Sequence, residues 1–159
     1  MPDYADLSVK INRLFSYWHN RSEPELTSQA MATVLGQQFF DGSLIPVQQI
    51  ERLRTPGAPL DPQADPPLLE ALCTLCGVDS AYLTDSLAAS RIDRQLRLWI
   101  AVRDRGLDHL AVRAGKAELT LDELDDLIEL AESSAPPIAP VTSIAAPRRR
   151  RWPSRVQQR

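Results

Sequence analysis

The segment 46–54, PVQQIERLR, carries the side chains best suited to hydrogen-bond the edges of DNA bases. Glutamine and arginine make such contacts in the major groove, and both are equally common on solvated helices. Gln48 and Gln49 stand near the start of a predicted short helix, with Arg52 and Arg54 near its end. The segment therefore predicts either a base-reading helix or a solvent-facing one, and the elements around it must decide between the two.

Cys73 and Cys76 form a CxxC pair, a spacing found in half-sites for zinc and in redox-active dithiols. A zinc site needs a second pair of ligands, whereas the two histidines, His19 and His109, lie in unrelated segments. A redox pair is typical of a βαβ context, and the sequence predicts none around these cysteines. We therefore expect no metal site and predict that both thiols pack between helices.

The acidic residues of segment 122–132 provide paired carboxylates, which general acid–base catalysis uses. Helical spacing predicts them on the outer side of a helix, where nothing would desolvate them. The sequence contains no glycine-rich phosphate loop and no histidine close to a candidate nucleophile. We expect no catalytic residue, no cofactor and no small-molecule substrate, so the chain is not predicted to be an enzyme.

The chain has 159 residues, of which 43% are hydrophobic and 25% charged, a balance typical of globular proteins in solution. It has no apolar run of about 18 residues, and acids stand near its start where a signal peptide carries bases. The expected location is the cytoplasm, without membrane contact. The net charge of −3 conceals opposed blocks, because segment 117–135 contains seven acids and no base, whereas segment 136–159 contains six arginines and no acid.

Apolar residues at helical spacing predict an all-α chain without strands. Thr27 is expected to cap the second helix, whose C-terminal end is expected near Gly36, and Gly77 is expected to end the fourth. The predicted N-terminal helices cover residues 5–19, 28–37, a short stretch after Pro46, 65–76 and a single turn within 79–85. Segment 5–85 is therefore predicted to be a helix-turn-helix domain, in which the short third helix follows the turn.

The second half of the chain is predicted to be a helical dimerisation domain, residues 86–133. A long helix is expected to end at Gly106, a short one to follow over 107–115, and a capping box of Thr120 and Glu123 to open an acidic helix. The two longer helices carry more apolar residues than a pair can bury against each other, so we expect a second copy to cover the excess. The residues predicted to form this interface are Leu96, Trp99, Ile100, Leu124, Leu127 and Ile128.

Segment 134–159 is rich in proline and small residues and then becomes basic, so we predict a disordered tail. Its sequence RRRRWPSR could hold phosphates without reading sequence, contact an acidic partner, or have no role. The residues predicted to make the nucleic-acid contact are Arg148, Arg149, Arg150 and Arg151.

Several strings, among them LTSQAMATVLGQ, GVDSAYLTD and VRDRGLDHLAVRA, make residues 12–131 resemble the EspR family, actinobacterial helix-turn-helix regulators of the Xre class. The resemblance implies an N-terminal domain that binds DNA and C-terminal helices that dimerise. It implies that the base-facing turn of the third helix starts at Pro46, and that the start of the second helix holds a phosphate. The DNA-binding residues it indicates are Thr27, Ser28, Val47, Gln48, Gln49, Arg52 and Arg54. One departure is the string TPGAPLDP, which has no basic residue after its glycine and so implies one phosphate contact fewer.

The predicted function is that of a dimeric, cytoplasmic, nucleoid-associated protein or transcriptional regulator that binds double-stranded DNA. The alternative is a protein-interaction module that keeps a helix-turn-helix scaffold but has lost specific DNA binding, and that holds its partner with the acidic helix and the tail.

Overall fold

The computed structural model describes residues 6–107 and 119–134. Within these two ranges the chain forms α-helices and no β-strand, so the all-α prediction is confirmed there. The helices are α1 (Leu7–Tyr17), α2 (Ser28–Phe39), α3 (Val47–Arg54), α4 (Asp65–Cys76), α5 (Ala81–Thr84), α6 (Ser86–Arg105) and α7 (Leu121–Ser133).

The first five helices enclose one apolar core, together with the N-terminal half of α6. Leu14, Met31 and Tyr82 are completely buried in it, and Ile50 and Leu53 of α3 are 3% and 5% exposed. This burial follows from the sequence, since apolar residues spaced three or four apart place one face of each helix inward. The core therefore holds α3 by its buried face, and the opposite face of the helix is exposed to solvent.

Most helix ends follow the local signals in the sequence. The Thr27 hydroxyl accepts a hydrogen bond from the Ala30 backbone N–H at 3.1 Å, which caps α2 as predicted. Gly77 and Gly106 take the left-handed conformation that ends α4 and α6. The end predicted for α2 near Gly36 is wrong, because the helix continues to Phe39.

Helix α6 packs against both halves of the chain. Its Ala89 and Leu96 join the N-terminal core, and farther along its Leu98 and Val102 pack with α7 in a second apolar cluster. Near the end of α6, the Arg103 guanidinium donates hydrogen bonds to the carbonyl oxygens of Ser16 and Tyr17, the last residues of α1, and of His19 just beyond it, at distances of 2.6 to 3.3 Å. The domain boundary predicted near residue 86 thus falls at the start of a helix that packs in both apolar clusters.

The cysteines lie inside the N-terminal core, as predicted. Cys73 is 1% exposed and Cys76 is 7% exposed, and the Cys76 thiol lies 3.9 Å from the Leu14 carbonyl oxygen. Burial raises the pKa of Cys73 to about 11 and that of Cys76 to about 12, since the apolar surroundings disfavour the thiolate. Both residues therefore act as small packing groups.

Some predictions concern residues outside the described ranges. The short helix expected over 107–115 lies almost entirely there, and so does the tail from residue 135 onward, including Arg148, Arg149, Arg150 and Arg151. Among the helices that the structure does describe, none is long and apolar enough to cross a membrane.

Candidate nucleic-acid interface

The turn between α2 and α3, residues 40–46, folds back directly onto α2. A Cβ atom on Gly36 would lie 2.3 Å from the Ser43 carbonyl oxygen, so no larger residue fits there without moving the backbone. The Gly42 N–H donates to the Gly36 carbonyl at 2.9 Å, and both Asp41 and Gly42 have positive φ angles. This close approach explains why a glycine stands inside a helix, and it fixes the point at which α3 begins.

Helix α3 presents a polar outer side. Gln48 and Glu51 are exposed, whereas Val47, Gln49 and Arg52 are half-buried. The Gln48 side chain makes no hydrogen bond to any residue in the described ranges. Of the two glutamines predicted to read bases, Gln48 is thus the one that faces solvent freely.

Arg54 lies at the junction of three helices and not on the outer side of α3. Its Nε donates to Asn12 Oδ1 at 2.7 Å, and its guanidinium stacks 4.0 Å from the centre of the Phe15 ring. A terminal nitrogen forms an ion pair with Glu25 at 2.8 Å, and the other donates to the Ser28 hydroxyl at 3.4 Å. Arg54 therefore joins α3 to α1 and to the start of α2, and Glu25 offsets its charge.

Asp65 accepts hydrogen bonds from two polar side chains of α3, Gln49 and Arg52. The residue is 1% exposed, and its carboxylate accepts hydrogen bonds from Arg52 at 2.7 Å, from Gln49 Nε2 at 3.1 Å and from the Asp61 N–H at 2.6 Å. A buried carboxylate requires such compensation, because burial of an unpaired charge is costly. Asp65 thus connects the middle of α3 to the start of α4.

The loop 55–64 is held by the same side chains. Arg52 also donates to the Pro59 carbonyl, and Gln49 Nε2 donates to the Ala64 carbonyl at 3.1 Å. Within the loop, N–H groups of Ala64 and Gln63 lower the pKa of the Asp61 carboxyl, with a smaller contribution from the Arg52 charge. The loop therefore packs against α3 through hydrogen bonds.

The role of Asp65 is not visible in the sequence. There the residue stands only at the predicted start of α4, where acidic residues are common because they favour the positive end of the helix dipole. No local pattern shows that the carboxylate turns inward to meet Arg52 and Gln49. Its burial depends on the path of the loop 55–64, which only the folded chain defines.

The groove that precedes α3 is lined by uncharged residues. A shallow groove runs between α2 and the turn 40–46, and Leu44 on its rim is 96% exposed. The groove is lined by Gln29, Ala32, Thr33, Gln37, Gly42, Ser43, Leu44 and Ile45. Amides, hydroxyls and one protruding leucine therefore line the groove that precedes α3.

The residues predicted to form a dimer interface separate into two groups. Leu96 is buried in the N-terminal core, and Leu124 and Ile128 are buried against α6 of the same chain. Trp99, Ile100 and Leu127 are half-buried. Ion pairs within the chain also join the two helices, with Arg94 to Asp125 at 2.8 Å and Arg97 to Glu132 at 3.6 Å. A single chain thus covers part of the apolar surface that the sequence assigned to a second copy.

Comparisons with known proteins gave no match, either among models of protein families or among curated sequences.

Proposed function

We propose that this protein binds double-stranded DNA through α2, the turn 40–46 and α3, and that it acts as a dimeric gene regulator or nucleoid-associated protein in the cytoplasm. The observation that carries the proposal is the outer side of α3: Ile50 and Leu53 anchor the helix while Gln48 stands exposed in its first turn. This arrangement suits the major groove, because the N-terminal residues of a recognition helix contact base edges. The sequence resemblance to the EspR family supports the same role.

The charges on α3 determine how much this helix can contribute to binding DNA phosphates. Both arginines of α3 are paired with carboxylates, Arg52 with Asp65 and Arg54 with Glu25, so α3 contributes little positive potential. Phosphate neutralisation supplies much of the affinity of DNA-binding proteins. We therefore assign phosphate binding mainly to the arginines of segment 136–159, and base contacts to α3.

The experiment is a titration of labelled duplex DNA with the full-length protein and with a variant that lacks residues 147–159. At low salt we expect the full-length protein to bind duplexes of any sequence, and to favour some sequences in a selection from a random pool. The deletion should weaken binding while keeping the same favoured sequences. Failure of the full-length protein to bind any duplex at low salt would show that the proposal is wrong.

The second candidate is a protein-interaction module, and the paired arginines of α3 favour it. If Arg52 and Arg54 serve only the fold, the uncharged groove beside Leu44 could receive a partner protein. The same titration separates the two functions, since an interaction module would leave duplex DNA unbound even at low salt.

A further inference from the structure

The two adjacent glutamines of α3 differ in the hydrogen bonds that remain available to them. Gln49 Nε2 has two hydrogens, and it donates one to Ala64 and the other to Asp65, each at 3.1 Å. A glutamine that reads adenine must donate to N7 and accept from the N6 amino group. Gln49 retains only its acceptor oxygen, so it cannot make this bidentate contact without leaving the loop and Asp65.

Arg52 is held in a similar way. One terminal nitrogen contacts Asp65 at 2.7 Å and the other donates to the Pro59 carbonyl. If Arg52 turned toward a guanine, the Asp65 carboxylate would stay buried without a cation, which is strongly unfavourable. Arg52 therefore belongs to the support of α3 and not to its reading surface.

Gln48 has neither constraint. Its side chain is exposed and has no partner among the residues that the structure describes, so its amide keeps both a donor and an acceptor. Four residues earlier, in the turn 40–46, Leu44 offers the apolar surface that a thymine methyl group would contact. An amide that can donate and accept, preceded in the chain by an exposed apolar side chain, suits the major-groove edge of an A·T pair.

We propose that Gln48 is the residue that specifies a base, with a preference for adenine, and that Asp65 is a positioning residue that keeps Gln49 and Arg52 away from DNA and fixes the direction of α3. This inference depends on the proposed DNA-binding function. Of Gln48, Gln49 and Arg52, the first then contacts bases and the other two hold the helix.

The test is selection of binding sites from a random duplex pool by the full-length wild type and by three variants, Gln48→Arg, Gln49→Arg and Thr74→Arg. Arginine prefers guanine, so Gln48→Arg should change one favoured position from adenine to guanine, with discrimination of about 5- to 150-fold. Gln49→Arg should keep the same favoured bases, but with lower discrimination, because it removes hydrogen bonds that hold α3. Thr74→Arg on the exposed side of α4 is the charge control, and it should alter affinity without altering base preference.

The outcomes separate this inference from the function on which it depends. If the wild type binds duplex DNA without favouring any base, or if Gln49→Arg and not Gln48→Arg changes the favoured base, the inference is wrong and DNA binding stands. If the wild type binds no duplex at low salt, the proposed function fails and the inference fails with it.

The positioning role of Asp65 is tested by measuring base discrimination, which a purely stabilising role would not change. We expect Asp65→Asn to reduce the discrimination for adenine at the Gln48 position, because α3 loses its ion pair to the start of α4. Asp126→Asn removes the same charge from the exposed side of α7 and should leave discrimination unchanged. Equal discrimination in both variants would overturn the positioning role. Arg52→Lys provides a second test if Asp65→Asn fails to fold, since a lysine cannot bridge Asp65 and Pro59 as the guanidinium does and should also lower discrimination.

Discussion

Arg52 and Asp65 form an ion pair of 2.7 Å in which the carboxylate side chain is 1% exposed and the guanidinium side chain 31% exposed. The buried Asp65 carboxylate therefore needs the ion pair more than the partly exposed Arg52 guanidinium does. Without Asp65, Arg52 can turn toward water, whereas without Arg52 the carboxylate stays buried with only N–H donors from Gln49 and Asp61.

This asymmetry predicts that Arg52→Ala destabilises the fold more than Asp65→Ala does. Loss of the cation leaves a buried charge uncompensated, which costs about 3 kcal/mol or more, whereas loss of the carboxylate leaves a cation that water can solvate and costs about 1–2 kcal/mol. Urea unfolding gives both free energies of unfolding. The double variant should cost less than the sum of the single ones. An additive result, or the reverse order of the two single variants, would contradict the prediction.

Gly36→Ala should destabilise the protein although alanine is the better helix former. The intrinsic preference would favour alanine by about 1 kcal/mol. The new Cβ would lie 2.3 Å from the Ser43 carbonyl oxygen, however, and that oxygen belongs to the backbone of the turn before α3. We expect a lower melting temperature and weaker DNA binding, because the start of α3 must move. Thr33→Ala, on the exposed side of the same helix, is the matched control and should change stability little. A Gly36→Ala variant as stable as the wild type would show that the turn adapts.

The sequence predicted the elements whose signals are local. Gly77 and Gly106 end helices as expected, and the reciprocal contacts of Thr120 and Glu123 form the expected capping box at the start of α7. Each of these features depends on residues within one helical turn. Such interactions are the same in most folds, so a single sequence reveals them.

The site itself depends on contacts between distant residues, and these were not predictable. Arg54 stacks on Phe15 of another helix, Asp65 receives side chains from α3, and Gly36 meets the carbonyl of Ser43. The same residue types would be ordinary on a solvated surface. The sequence could therefore identify a polar helix after a turn, but it could not show which of the polar side chains of that helix are free to face solvent.

The two thiols should react slowly with disulfide reagents at pH 8 in the folded protein and fast in urea. Burial raises the pKa values of Cys73 and Cys76 from 9.0 to about 11 and about 12, so the folded chain holds their protons more tightly than the unfolded chain. Their contribution to stability is fully present below pH 9.0 and decreases as the pH rises through the raised values. Cys73→Ala should therefore lose less stability than the wild type between pH 9 and 11. Rapid labelling of either thiol in the native state would contradict this assignment.

Deletion of residues 147–159 should reduce the salt dependence of DNA binding without changing the favoured bases. Each phosphate contact adds about 0.9 to the slope of log K against log salt, so the loss of several arginines should lower the slope by several units at most. The measurement is a titration at four salt concentrations. A variant in which Arg148, Arg149, Arg150 and Arg151 become glutamine keeps the length of the tail and should behave like the deletion. An unchanged slope in both would show that the tail does not contact DNA.

We still predict a dimer, but only some of the residues predicted to form its interface are accessible to a second copy. Leu96, Leu124 and Ile128 are covered within one chain, so Asp at these positions would disrupt folding in a monomer as well. Trp99 and Leu127 are half-buried and Leu130 is 54% exposed, which leaves apolar surface that a second copy could cover.

Sedimentation at micromolar concentration should give twice the 17.7 kDa of one chain. Leu130→Asp should give the monomer mass while preserving the helical circular dichroism spectrum, and Asp126→Ala on the same helix should remain a dimer. A wild type that sediments at 17.7 kDa would show that α6 and α7 bury what they need within one chain.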